Sequence, residues 1–196
     1  MVATARSTSG RAGRGQGSRY SAGTNRDRSL ASTNVQSPFH SRAICGLLPR
    51  MTHEWTRGEY TISTDPRRLD LDLIHDFLSR RSYWAPGRSR ERVARSIEHS
   101  LPFGLYDRTG QVGFARVVTD HVVIAFLADV FVLEAHRGEG LGKWLVETVM
   151  RTPELQRVRR WMLGTRDAHE LYRRFGLAEP APGVLMEKVD PDADRA

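Results

Sequence analysis

The stretch Leu127-Ala-Asp-Val-Phe-Val-Leu-Glu-Ala-His-Arg-Gly-Glu-Gly-Leu-Gly-Lys-Trp-Leu145 runs from an apolar segment, through three glycines, into residues whose apolar members fall at 141, 145, 146, 149 and 150. The last spacing is helical, and the β-branched and aromatic run before the glycines suits a buried strand. A strand, a glycine turn and a helix are therefore predicted here. Such a turn presents the orphan N–H groups of a helix start, together with the positive end of the helix dipole, to one point in space, which makes a site for a phosphate or pyrophosphate. A Cβ at Gly140 or Gly142 would stand between those amides and the anion.

Three phosphate motifs compete for this reading. A Walker A loop needs glycine where Arg137 stands and a hydroxyl residue where Trp144 stands. A dinucleotide GxGxxG needs glycine at 143 or 145, where Lys143 and Leu145 stand, and no acid ends the following strand. Arg137-x-x-Gly140-x-Gly142 remains.

Outward from the turn, the pattern gives a strand at Glu59–Ser63 and a helix capped by Asp65 with Pro66 at its first position. That helix carries Leu69, Leu73, Ile74, Phe77 and Leu78 inward and ends near Arg81. Ser89 caps a second helix, with Val93, Ala94 and Ile97 inward, and Pro102 closes it. Phe103–Tyr106 and Gln111–Val118 form an antiparallel pair about Asp107-Arg-Thr-Gly110. Val122–Leu133 is a buried strand, Leu141–Met150 a helix, Arg160–Leu163 a strand, Ala168–Phe175 a helix and Val184–Lys188 a last strand. The order βααβββαβαβ describes an α/β sandwich, a mixed central sheet flanked by helices.

At 196 residues and 39% hydrophobic content the chain suits one domain and a tail. Residues 1–52 are the expected tail and 53–190 the domain. The formal charge of +7 suggests a nucleic-acid partner only until it is divided: Met1–Arg50 holds eight Arg against one acid, Asp27, and the remainder has equal numbers of basic and acidic residues. The tail reads either as a disordered Arg/Ser/Gly-rich arm or as sequence not translated natively, with initiation at Met51. Cys45 is the sole cysteine, which excludes a disulfide framework, and no CxxC pair suggests a metal. Val122–Leu133 is interrupted by Asp129 and falls well short of the ~20 residues of a membrane span. The expectation is a cytoplasmic monomer or homodimer with no nucleic-acid, membrane or metal partner.

Two motifs together resemble the GNAT superfamily of N-acetyltransferases. Arg137-x-x-Gly140-x-Gly142 is similar to its coenzyme A signature, and Ala168-x-x-Leu171-Tyr172-x-x-Phe175-Gly176-Leu177 to its Ala-x-x-Leu-Tyr-x-x-x-Gly-Phe helix, with Leu177 in place of Phe. The resemblance covers the whole domain and implies the GNAT acyl-CoA fold, with acetyl-CoA as cosubstrate and an amine as acceptor. It assigns the acetyl and pantetheine arm to backbone groups of Val130, Phe131 and Val132. It assigns the pyrophosphate to amides of Gly138, Glu139, Gly140, Leu141, Gly142 and Lys143, with Arg137 beside them.

Amide formation from a thioester needs an unprotonated amine, a polarised carbonyl and a route for the thiolate to leave. An alkyl ammonium titrates near ~10.4, so a base or a water chain must take its proton. Polyamine acetyltransferases, which the strand also resembles, carry Glu-Asp where this chain has Ala128-Asp129. Asp129 is thus a candidate base or amine anchor, or else a strand acid held by a neighbouring Arg; Glu134 is a weaker alternative. By resemblance Tyr172 donates to the departing thiolate. Direct attack in a ternary complex is expected, and Tyr83 and Trp84 are expected to wall the acceptor pocket, with aromatic faces that suit apolar or cationic amines. Asp167 and Glu170 read as a capping box for the Tyr172 helix. An acyl-CoA-binding module without turnover and a protein acetyltransferase are the competing functions.

Overall fold

The structure, a computed structural model, describes residues 51–190 and 192–195; almost all of the expected tail, with Cys45, lies outside the described residues. Strands β1 (Glu54–Arg57) and β2 (Tyr60–Ser63) form a hairpin about Gly58, whose φ of 63° suits glycine. Only β2 was expected. Asp65 caps a helical turn as predicted, but that turn is a short 3₁₀ segment, Pro66–Arg68, because Asp70 caps again. Its Oδ1 accepts the amides of Asp72 and Leu73 at 3.1 and 2.9 Å. Helix α1 (Leu71–Asp76) follows and runs through a π turn to Arg81. Ser89 caps α2 (Arg90–Glu98), which ends before Pro102; that proline lies inside β3 (Leu101–Tyr106) rather than closing the helix.

In the β3–β4 turn, Asp107 Oδ1 accepts the amides of Thr109 and Gly110 at 2.7 and 3.1 Å. Strand β4 is Gln111–Thr119, β5 Ile124–Val132 and β6 Arg160–Met162, with α3 (Leu141–Arg151) between the last two and α4 (His169–Arg173) after them. The six strands lie in sequence order, antiparallel except for the parallel pair β5/β6, so the sheet is mixed as expected. Helices cover both faces. Ile74, Phe77, Leu78, Val93 and Ile97 pack with Phe114 and Phe131 on one side. Leu141, Leu145, Val146, Val149 and Tyr172 pack with Phe103, Leu105, Val117 and Leu127 on the other. The expected fully buried strand is buried only in alternation at its start, where Ile124 and Phe126 are exposed.

The strand expected at Val184–Lys188 does not form. Gly183, with φ 77°, and the turn from Ala181 to Val184 lead the chain into an irregular path, and Met186 is 98% exposed. A cavity of about 550 Å³, lined by Trp161, Leu163, Tyr172, Leu177 and Val184 among others, lies between β6, α4 and this segment.

One buried side-chain polar group is unsatisfied among the described residues: the Tyr106 hydroxyl, seated where Gly104 leaves room for its ring. Tyr106→Phe removes an orphan polar atom, and a gain of about 1 kcal/mol is expected in urea unfolding. Burial pushes the Tyr106 phenol up to about 12. A group whose folded pKa lies above its unfolded value of about 10 contributes stability that is present below pH 10 and lost as pH rises toward 12. The Phe variant is therefore expected to resist alkaline unfolding above pH 10 better than the parent, as melting curves at pH 8 and pH 11 would show.

Candidate active site

The end of β5 is shaped by a bulge. Across β4, Arg116 pairs with Ala128 and Phe114 with Phe131, so Asp129 and Val130 together oppose Ala115. Asp129 takes φ 53°, in the left-handed region. On the other edge, the ladder with β6 stops at Phe126–Met162. From Leu127 onward β5 and the chain after β6 part company, and among the described residues the backbone of Val130, Phe131 and Val132 has no ladder partner on that edge. Gly113 on β4 holds this geometry from behind: an added Cβ would lie 2.8 Å from the Phe131 carbonyl oxygen.

Beyond β5 a 3₁₀ turn, Glu134–His136, leads into the glycine segment. Gly138 and Gly140 have φ of 86° and 73°. Gly140 is the N-cap of α3, so the N–H groups of Leu141, Gly142 and Lys143 open its first turn without intrahelical acceptors. An added Cβ at Gly140 meets nothing within 4 Å, and one at Gly142 only a Val132 methyl at 3.9 Å, so the approach to these amides is open. Arg137 folds back: its Nε donates to the Val132 carbonyl at 3.1 Å and its Nη2 to Glu134 at 3.1 Å. The Glu139 carboxylate turns aside to accept from the Tyr60 hydroxyl at 2.9 Å.

Tyr83 and Trp84 lie on the loop between α1 and α2, and Trp84 reaches the bulge. The Trp84 Nε1–H donates to Asp129 at 3.1 Å, and the two rings meet edge to face at 5.0 Å. The Tyr83 hydroxyl donates to Asp167 at 3.3 Å and accepts the Arg166 amide at 2.9 Å, while the Arg166 guanidinium lies 3.8 Å over its ring. Asp167 is thus engaged with Tyr83 rather than capping α4. The N-cap there is Ala168, whose amide goes to Thr165 Oγ1 at 3.1 Å, so the expected capping box is absent. Tyr172 on α4 is 9% exposed, and burial, with Tyr83 and Asp167 nearby, pushes its phenol up to about 12.

Asp129 is closely held. Its side chain is 3% exposed, Arg116 Nε donates to it at 2.6 Å, and Arg88 Nη1 at 3.3 and 3.4 Å. That geometry holds Asp129 as a strand acid between neighbouring arginines. Asp129→Asn is expected to cost about 3 kcal/mol in unfolding free energy, because it leaves the partly buried Arg116 guanidinium without its carboxylate. Urea unfolding with an unchanged m value would read this directly; stability within about 0.5 kcal/mol of the parent would release Asp129 for a role as base. Arg88, Arg116 and Arg166 escaped the sequence reading. Arg88 had a signal in its closeness to Trp84, but Arg116 meets Asp129 only through strand register.

Among the described residues no group of His, Cys, Asp or Glu is arranged to hold a metal, and no helix is long and apolar enough to cross a membrane.

Residues 98–177 match the family model described as an acetyltransferase (GNAT) domain. A Gibberella zeae protein whose name places it among the acetyltransferases is 35% identical over 141 residues, which cover 60% of this chain and 78% of that protein. The crystal structure of a protein assigned to the GNAT family from Xanthomonas campestris pv. campestris superposes with a TM-score of 0.68 at 44% identity, over 72% of this chain and all of that one. The ribosomal-protein-S18-alanine N-acetyltransferase of Escherichia coli is similar at a TM-score of 0.51 and 25% identity, over 62% of this chain and 79% of that one.

Proposed function

The chain belongs to the GNAT acetyltransferase family, and on that premise we propose that it transfers an acetyl group from acetyl-CoA to a primary amine of a small molecule by direct attack in a ternary complex. The observation that carries the reading is the parting of β5 from β6 beside the bulge, continuous with the open amides at the start of α3. Amides freed from a ladder can donate to a thioester oxygen, and they stabilise it more as negative charge develops there. The α3 amides of Leu141, Gly142 and Lys143 suit the pyrophosphate.

The amine nitrogen attacks the thioester carbon, the C–S bond breaks, and sulfur leaves with the electron pair. The amine's proton goes to water, since Asp129 is paired with Arg88 and Arg116. A phenol near pKa 12 holds its proton more tightly than a thiol near ~8.5, so Tyr172 acts by donating a hydrogen bond to the departing sulfur rather than by surrendering the proton. Incubating the purified chain with acetyl-CoA and a panel of amines, with free thiol read by a chromogenic reagent and acetylated amine by mass spectrometry, tests the reading. Tight acetyl-CoA binding with no thiol release above the amine-free blank would replace it with an acyl-CoA-binding module.

A further inference from the structure

We propose that the acceptor amine carries a carboxylate, and that the Nε/Nη2 edge of Arg88, backed by Arg92 and Arg95 on α2, is the site that takes it. This rests on the acetyl-transfer reading for the word acceptor, and on geometry alone for the site.

Arg88 is only 17% exposed and serves two carboxylates at once. Its Nη1 donates to Asp129 at the bulge, while Nε and Nη2 grip Asp194 side-on at 3.0 and 3.5 Å. The pairing with Asp194 is the two-toothed arrangement in which a planar guanidinium recognises a carboxylate. Asp129 needs no help from Arg88 to be neutralised, because Arg116 lies 2.6 Å away, so the charge of Arg88 is surplus to the bulge. Asp194 answers that surplus, and Arg92 Nε adds a contact at 3.5 Å. Yet Asp194 rides on a three-residue 3₁₀ turn, Ala193–Arg195, a light anchor for so well matched a partner. Around it a groove follows the outer face of α2, lined by Arg88, Arg92, Arg95, Ser96 and His99, with Glu91 the one other acid among the described residues that line it.

Asp194 therefore occupies the place of a ligand carboxylate. The position is informative, because Arg88 spans from Asp129 to Asp194, and a carboxylate bound there lies one guanidinium from the strand where the thioester is placed above. An acceptor whose amine is joined to its carboxylate by a short chain, as in an amino acid, would extend from Arg88 toward that strand. A protein N-terminus lacks that carboxylate. Guanidinium does not lose its proton in the working pH range, so Arg88 presents its charge throughout.

The test uses the full chain with matched acceptors, free amino acids and their carboxamides, and reads thiol release. Carboxylates are expected to show a KM at least about tenfold below their carboxamides. Asp194→Ala removes the internal competitor and widens the gap several-fold; Arg88→Gln erases it, and Arg88→Lys restores part. Equal KM values within a factor of about two for both members of each pair, or a preference for peptides over free amino acids, overturn the proposal while leaving acetyl transfer intact. Calorimetry with N-acetylalanine and N-acetylalaninamide needs no turnover. Carboxylate binding that tightens in Asp194→Ala and vanishes in Arg88→Gln supports the site even if no amine is acetylated. Binding that neither substitution moves overturns it. Asp194 is a partly exposed residue outside both cores, so its variant remains informative if Arg88→Gln fails to fold.

Discussion

Gly140→Glu is expected to abolish acetyl-CoA binding, with calorimetry showing a dissociation constant raised at least about a hundredfold. Two effects combine. The first is conformational: Gly140 sits at φ 73°, where a side chain costs roughly 1–2 kcal/mol. The second is electrostatic and larger, because a carboxylate there lies beside the N–H groups of Leu141, Gly142 and Lys143, caps them itself and repels the incoming pyrophosphate. Two unit charges ~4 Å apart cost about 1 kcal/mol in water and about 4 near a protein surface, and a pyrophosphate brings more than one. Steric exclusion plays little part, since the space around an added Cβ is open. Gly140→Ala separates the terms: it carries the strain without the charge and should keep binding within about tenfold. A Glu variant that binds like the parent would remove the pyrophosphate from this helix start.

How the turn could be seen in the sequence, and the arginines around Asp129 could not, follows from the range of each interaction. Arg137 to Lys143 is one contiguous segment whose geometry depends on glycine freedom and on the helix behind it, so residue order is enough. The β3–β4 hairpin is legible for the same reason, with Asp107 and Gly110 closing it locally. Strand β1 was missed because Glu-Trp-Thr-Arg offers one apolar side chain, and its support comes from β2 and from Trp55 stacking 6.3 Å from Phe103. The last strand was expected at Val184–Lys188, but a strand is made by partners, and among the described residues β6 pairs only with β5. Asp167 shows the opposite failure. Its spacing to Glu170 satisfies a local capping rule, yet a residue 84 positions away, Tyr83, claims the carboxylate instead. Asp129 was left open between base and bound strand acid, and the register that sets Arg116 beside it is information no local pattern holds.

Tyr172→Phe is expected to lower turnover by about a hundredfold while leaving acetyl-CoA affinity nearly unchanged. The phenol meets sulfur only as charge develops there, so its loss removes stabilisation of the transition state and not of the bound thioester. General acid assistance is worth ~10²- to 10⁴-fold. The low end applies because burial holds this phenol at about 12, above the thiol it serves, so it stabilises sulfur by hydrogen bonding without full proton transfer. Phe keeps the ring, which packs in the cluster with Leu141 and Leu145, so melting temperature at neutral pH should hardly move. The pH profile adds a check that a packing role would not pass. In the parent, Tyr172 stays protonated well beyond pH 10, so the rate should climb as the acceptor amine deprotonates and show no fall from tyrosine ionisation below about pH 11. The Phe variant should climb in parallel from a lower level, the offset constant with pH. A variant turning over within a factor of about two of the parent, or an offset that closes as pH rises toward 10, would take Tyr172 out of the chemistry and leave sulfur to be met by water.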